Sequence, residues 1–284
     1  MSTVDVLILG AGWTSTFLIP LCVERSLTYA ATSRSGAHST IPFEFQPGSE
    51  DPEPYRRLPD AKTVLVTFPV VGNGAAGRLV KLYRSTRSSD SNEESGFIQL
   101  GTTGIWDKTP EALAALGESG GTTFYDRHSP FTCTGRANAE AELLALPRTA
   151  VLNLAGLWGG QRLPKNWLGR VAPTKEALKR KGSIHLIHGR DLARAVLAVH
   201  AAFPKAAGQR WILTDGRVYD WWDLAFAWGA SEDEDDSGSP ARWVRELMRE
   251  ENVRVLPRNT ELLGRVLDSR DFWETFELAP LESS

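Results

Sequence analysis

The sequence predicts an α/β fold, a doubly wound and mostly parallel sheet with a smaller C-terminal lobe. Three observations carry that prediction. Short apolar or β-branched runs alternate with amphipathic stretches over residues 3–215. The runs are apolar at consecutive positions, which suits strands covered on both faces and joined by βαβ crossovers. The first run, VDVLILG, also ends in a glycine-rich turn that hands over to a helical pattern.

Strands are expected at Val4–Leu9, Thr28–Thr32, Thr63–Thr67, Gly96–Gly101, Ala150–Leu154 and Trp211–Thr214. Helices are expected at Thr14–Glu24, Gly74–Arg87, Ala137–Leu146 and Arg190–Phe203. Pro20 should kink the first helix, because it lacks a donor and crowds the carbonyl four residues back. Ser85–Ser95 and the acidic run Glu232–Asp236 read as solvated loops, the latter also as a possible cation site.

With 284 residues, 42% of them apolar, the chain has ample length for one large core. The expected organisation is a single domain over residues 1–284, with its core at about 3–215 and a lobe from about 157–185 and 216–284. A net charge of −3 argues against nucleic acid or an anionic membrane as partner. No apolar run approaches the ~18–20 residues of a membrane span, and no leader-like segment precedes Val4, so a cytoplasmic location is expected. Cys22 and Cys133 are too few for a disulfide framework, and of the five histidines only His185 and His188 are closely spaced, on opposite faces of a strand-like segment, so no metal is expected.

The turn Gly10-Ala11-Gly12-Trp13-Thr14-Ser15 follows a strand and opens a helix. Gly10 permits the tight turn, Gly12 lets backbone approach a diphosphate, and amides at the helix start face its charge. Ser15 stands where a third glycine usually allows close helix–strand packing, and its hydroxyl is a candidate phosphate donor. The second strand ends in Thr32-Ser33-Arg34-Ser35 rather than in the acidic residue that holds a ribose 2′-hydroxyl. A guanidinium flanked by hydroxyls suits a 2′-phosphate, so NADP(H) is preferred over NAD(H).

Four segments together resemble the short-chain dehydrogenase/reductase superfamily in its extended or atypical, epimerase/dehydratase-like branch. They are GAGWTSTFL, GFIQLGTTGIWD, LNLAGLWGGQR and IHLIHGRDLARAV, in order over residues 3–215. The resemblance implies a Rossmann-type fold with a nicotinamide site along the carboxyl edge of the sheet. Gly10 to Ser15 would then carry the diphosphate and Ser33, Arg34 and Ser35 the adenosine end. Thr67, Phe68 and Pro69 would pass beside adenine or ribose, and backbone at Ala155, Gly156 and Leu157 would border the nicotinamide. His188 and Asp191 match positions that orient backbone, and a buried packing role suits His188.

The superfamily's acid–base pair, Tyr-x-x-x-Lys, is not found. Anchored on Glu140 and Leu143, its positions fall on Thr132 and Arg136, expected on one helix. An aliphatic hydroxyl supplies no oxyanion near neutral pH, and a guanidinium does not shuttle protons. Thr102 aligns with the Ser/Thr position and Thr103 lies beside it, so the catalytic candidates are Thr102, Thr103 and Arg136, with His128 and Tyr125 as weaker substitutes. The C-terminal region is rich in tryptophan, including Trp211, Trp221, Trp222, Trp228, Trp243 and Trp273, which reads mainly as core. Trp106 and Trp158 should make the pocket floor bulky and apolar, favouring a small or planar ligand. Three readings remain open: an NADP-dependent oxidoreductase or epimerase-like enzyme with non-standard acid–base residues; an NADP(H)-binding sensor or partner-binding subunit without turnover; or, resting on Ser15 and the non-acidic end of the second strand, a Rossmann-like domain that has lost its cofactor.

Overall fold

The computed structural model describes residues 3–87, 94–107, 122–229 and 238–283. The acidic run at 232–236 and most of the 85–95 loop lie outside the described residues. The first half contains β1 (Val4–Leu9), α1 (Ser15–Glu24), β2 (Tyr29–Ser33), β3 (Ile41–Pro42), α2 (Glu53–Arg56), β4 (Ala61–Val66), α3 (Ala75–Ser85) and β5 (Gly96–Thr102). After it come β6 (Thr123–Tyr125), α4 (Gly135–Leu144), β7 (Thr149–Leu154), β8 (Gly156–Trp158), α5 (Leu168–Val171) and α6 (Lys175–Lys179). The remainder is β9 (Ser183–Ile184), β10 (Leu186–His188), α7 (Gly189–Ala201), α8 (Phe203–Ala206), β11 (Gln209–Leu213), β12 (Tyr219–Asp220), α9 (Trp221–Trp228), α10 (Pro240–Glu250), β13 (Arg265–Leu267) and α11 (Arg270–Thr275). The assigned α1 runs continuously through Pro20.

The main sheet has seven strands in the order β11-β7-β5-β4-β1-β2-β3, and every pairing is parallel. Alternation within each strand explains the unbroken apolar runs. Val6 and Ile8 join one core with Leu18 and Cys22 of α1 and Val196 of α7, while Leu7 and Leu9 join the opposite core with Leu79 and Tyr83 of α3. A strand between two helical layers has no solvent face, so the period-two polar pattern disappears.

β1 lies between β2 and β4, so the chain leaves it in one direction and later returns on the other side. That reversal opens a crevice beyond the carboxyl ends of β1 and β4, where ligands of open α/β sheets bind. Three short pairings lie outside the main sheet: β8 with β10, β9 with β12, and β6 with β13. A further core gathers Leu168, Leu178, Trp221, Trp222, Val244 and Leu247 from α5, α6, α9 and α10. Arg258 clasps this lobe: its guanidinium pairs with the buried Asp220 carboxylate at 2.6 Å and lies over the Trp222 ring. Trp211, Trp221, Trp222 and Trp273 are all buried. No helix among the described residues is long and apolar enough to cross a membrane.

Candidate functional site

At the crevice the glycine turn is fastened from both sides. The Gly10 amide donates to Thr32 Oγ1 at 3.0 Å, and the Ala11 amide to Thr32 O at 2.6 Å. From β4's side, Thr67 Oγ1 donates to Gly10 O at 2.6 Å. Gly10 has φ +96°, and a Cβ there would stand 2.6 Å from Thr67 Oγ1, so only glycine fits. Gly12 differs: a Cβ built on it meets nothing within 4 Å and would project into open space.

The Gly12 amide closes a tight turn onto Gly10 O at 2.8 Å. The Ser15 and Thr16 amides donate to Gly12 O and Trp13 O, and Thr14 supplies no side-chain cap. Among the described residues, neither the Trp13 nor the Thr14 amide finds a protein acceptor. These two donors at the start of α1, rather than the glycine amides, are available to an anion. Ser15 is buried, lines none of the cavities described below, and its hydroxyl has no hydrogen-bond partner among the described residues. Its position suits the close helix–strand packing of a third glycine better than phosphate contact.

Two cavities meet over this turn, sharing Gly12 and Thr67. One, of about 490 Å³, is bounded by Gly10, Ser33, Arg34, Phe43, Phe45 and Phe68, with Glu44 on its wall. The Phe45 and Phe68 rings stack with centroids 5.9 Å apart. Arg34 is exposed there without a hydrogen bond or ion pair among the described residues. Ser33 is not free: its hydroxyl accepts from the Gly36 amide and hydrogen-bonds Thr40 Oγ1 at 2.6 Å. Ser35 is exposed, its hydroxyl accepts from the Ala37 amide, and it does not line the cavity.

The second cavity, of about 360 Å³, is lined by Trp13, Thr14, Pro69, Thr102, Arg136 and Leu157, among others. Gly156 lies just beyond, on the walls of two further cavities of about 460 and 710 Å³. Trp13 is set by its indole N–H on Gly159 O at 3.1 Å and by the Arg162 guanidinium over its ring.

The three catalytic candidates differ in what their polar atoms already do. Thr102 Oγ1 accepts from the Gly104 amide at 3.1 Å, which leaves its own hydroxyl proton to donate. Thr103 is buried and donates to Leu154 O at 3.2 Å. Arg136 donates to Leu100 O at 2.8 Å and lies 3.7 Å from the buried Glu140 carboxylate. Glu140 also receives Asn153 at 3.0 Å and Arg210 at 2.9 Å; burial pushes its carboxyl up and both guanidiniums down.

Several expectations need correction. Thr132 does not share a helix with Arg136: α4 begins at Gly135, capped by Thr134. Thr134 is the better cap because its side chain accepts from the Ala137 amide, and Thr132 instead hydrogen-bonds Ile105 O through its own amide. Trp106 and Trp158 line none of these four cavities. Trp106 is buried with its N–H on Ser129 O, and Trp158 lies 4.5 Å from the His188 ring. The aromatic wall comes from Trp167 and Trp221. His128 is exposed beside Asp271, and Tyr125 is buried in β6, both away from these cavities.

His188 packs between Trp158 and Phe17 and caps α7, while buried Asp191 accepts the Leu281 and Glu282 amides. Sequence reasoning missed Glu44, Arg162, Arg180, Lys181, His185 and Arg265, all of which line the crevice. Arg162 and His185 carried a signal, as the end of the LNLAGLWGGQR segment and within IHLIHGRDLARAV. No group of three or more His, Cys, Asp or Glu among the described residues could hold a metal ion.

Solved structures share this fold. A short-chain dehydrogenase/reductase superfamily protein from Agrobacterium tumefaciens with bound NAD superposes with TM-score 0.60 at 10% identity, covering 99% of this chain and 93% of its own. Yeast methylglyoxal/isovaleraldehyde reductase Gre2, complexed with NADPH, gives 0.59 at 12% identity, covering 98% and 94%. UDP-N-acetylglucosamine 4-epimerase from Bacillus cereus gives 0.58 at 10% identity, covering 99% and 95%. The chain has the fold of the epimerase-type short-chain dehydrogenase/reductases. What is shared at these identities is the fold. No protein-family model and no curated protein sequence matches the chain.

Proposed function

We propose that the chain binds NADP(H) along this crevice and acts as an oxidoreductase or epimerase-like enzyme on a small substrate. One observation carries the reading: two cavities meet at Gly12 and Thr67, beside the acceptor-free amides of Trp13 and Thr14. The residues fit a dinucleotide. Gly12 leaves the space that a diphosphate needs, and Phe43, Phe45 and Phe68 offer an apolar berth for adenine. Arg34 has no competing partner among the described residues and suits a 2′-phosphate. The solved relatives of this fold named above hold NAD in one case and NADPH in another.

Bound there, a nicotinamide supplies or accepts hydride. Thr102 lines both the nicotinamide-side cavity and the 460 Å³ cavity beyond it, with its hydroxyl proton free to hydrogen-bond a substrate oxygen. Arg136 lines the same cavity and holds ribose hydroxyls or substrate charge but moves no proton. A second reading, a sensor or partner-binding subunit without turnover, has one observation in its favour: no tyrosine lines the four cavities among the described residues.

Titrating NADPH and NADH by nicotinamide fluorescence, followed by a turnover assay on a carbonyl panel, decides between them. Tight NADPH binding with Thr102-dependent turnover supports the enzyme. Binding without turnover supports the sensor, and failure to bind either nucleotide ends both.

A further inference from the structure

We propose that the far end of the crevice selects a substrate with an anionic head, a carboxylate or a phosphate ester, and an apolar planar tail. This inference builds on the cofactor reading above by naming the substrate class of the same cleft. The cavities themselves define the shape. The 460 Å³ cavity joins the nicotinamide-side cavity at Thr102, Leu154 and Ala155, and the 710 Å³ cavity joins it at Leu157 and Arg162. The two outer cavities meet each other at Gly156, Ile184 and Trp221.

Charge defines the head. The whole chain carries −3, yet among the described residues these three cavities present Arg136, Arg162, Arg170, Arg180, Lys181 and Arg265 against the single carboxylate of Asp107. A cleft lined by one sign of charge concentrates the opposite ion. Local pairing sharpens the point. Along α6 and its exit, Lys175 pairs with Glu246 and Glu250, and Lys179 with Glu251, all from α10 and its end. Arg180 and Lys181 follow directly, line the 460 Å³ cavity, and have no hydrogen bond or ion pair through their side chains among the described residues. Arg265, on the same wall, is already held by Asp107 and Thr103 O. Among the described residues, the unpaired cations on that wall are therefore Arg180 and Lys181.

His185 is a second, independent feature of this wall. It is 3% exposed, and its Nε2 accepts the Leu267 amide at 3.0 Å. In the neutral ring the proton is then on Nδ1, a donor with no protein acceptor among the described residues. The tail end is shaped by Trp167, Val171, Ile184 and Trp221 on the wall of the 710 Å³ cavity, with Arg170 at its side. Flat indole surfaces beside aliphatic groups suit an aromatic ring.

The test uses the full chain and calorimetric titration, with and without NADPH. The probes are phenylpyruvate, phenyl phosphate and the uncharged methyl phenylpyruvate. The expected result is binding of at least one anion, with the ester at least tenfold weaker. Arg180→Ala/Lys181→Ala should weaken the anion at least tenfold while NADPH affinity is unchanged, and R180K/K181R should restore most of the loss. Phenylpyruvate alone identifies a carboxylate site; phenyl phosphate alone identifies a phosphate site. Equal binding of the ester, no binding of either anion, or an alanine variant that binds like the parent overturns the proposal. Anion binding that depends on Arg180 and Lys181 in a chain that ignores NADPH would remove the cofactor reading and leave this one standing.

Discussion

Thr67 Oγ1 donates to Gly10 O at 2.6 Å, joining the end of β4 to the glycine turn that follows β1. The contact fastens the two strands across the point where the sheet order reverses, so the turn keeps its shape without a ligand. Thr67→Val keeps the volume and removes the donor. It should lower stability by ~1 kcal/mol, read as a shift in denaturant midpoint, and weaken NADPH severalfold. A variant with unchanged midpoint and affinity would show that the turn holds itself.

Gly10 and Gly12 should fail in opposite ways. Gly10→Ala places a Cβ 2.6 Å from Thr67 Oγ1 at φ +96°, so about 1–3 kcal/mol of stability should be lost. Gly12→Val meets open space and should fold within about 0.5 kcal/mol of the parent, yet lose NADPH more than tenfold. Equal behaviour of the two variants in melting and in titration would contradict the cradle.

Arg34 should discriminate between nucleotides. Removing one charge-assisted partner costs on the order of ten- to hundredfold in affinity, so Arg34→Ala should lose NADPH by that factor and leave NADH unchanged. Glu44 lies on the wall of the same cavity, and Glu44→Gln should raise the NADPH-to-NADH preference by removing a repulsion. Parallel loss of both nucleotides in the Arg34 variant would assign that side chain a general role.

Thr102 is expected to govern turnover and not binding. Thr102→Ala removes the hydroxyl and the cap on Gly104, a stability cost of ~1 kcal/mol. Turnover should fall by at least about a hundredfold, with NADPH affinity retained and Thr102→Ser largely active. Full activity in the alanine variant would take Thr102 out of the chemistry.

His185 predicts an acid-sensitive fold. Burial, with Arg265 nearby, holds its imidazole down to about 3 from the ordinary 6.5. Between those values the unfolded chain binds a proton that the folded chain refuses. Its contribution is therefore complete above pH 6.5 and is lost as pH falls toward 3, at up to ~1.4 kcal/mol per pH unit. His185→Gln keeps an acceptor for the Leu267 amide. Unfolding titrations from pH 7 to 4 should show a shallower acid loss for the variant than for the parent, and identical slopes would contradict the assignment.

Much of this protein was legible in its residues because the relevant physics is local. A strand buried on both faces loses the alternation of polar and apolar positions and is apolar at most of them, so β1, β5 and β7 stood out with ends within a residue of those observed. The Gly10–Gly12 turn and the Arg34 end of β2 were equally visible, since backbone freedom and charge belong to single residues. Short strands such as β6, β8 and β13 left no mark: a run of three residues is decided by its pairing partner, not by its own pattern. Tertiary structure alone decided which polar groups are free. It engaged Ser33 with Thr40 and Thr103 with Leu154, paired Lys175 and Lys179 with α10, and left Arg34, Thr102, Arg180 and Lys181 facing the crevice. A hydroxyl or a cation becomes a ligand only when no nearer partner in the folded chain has claimed it, and which partner is nearest depends on residues far apart in sequence.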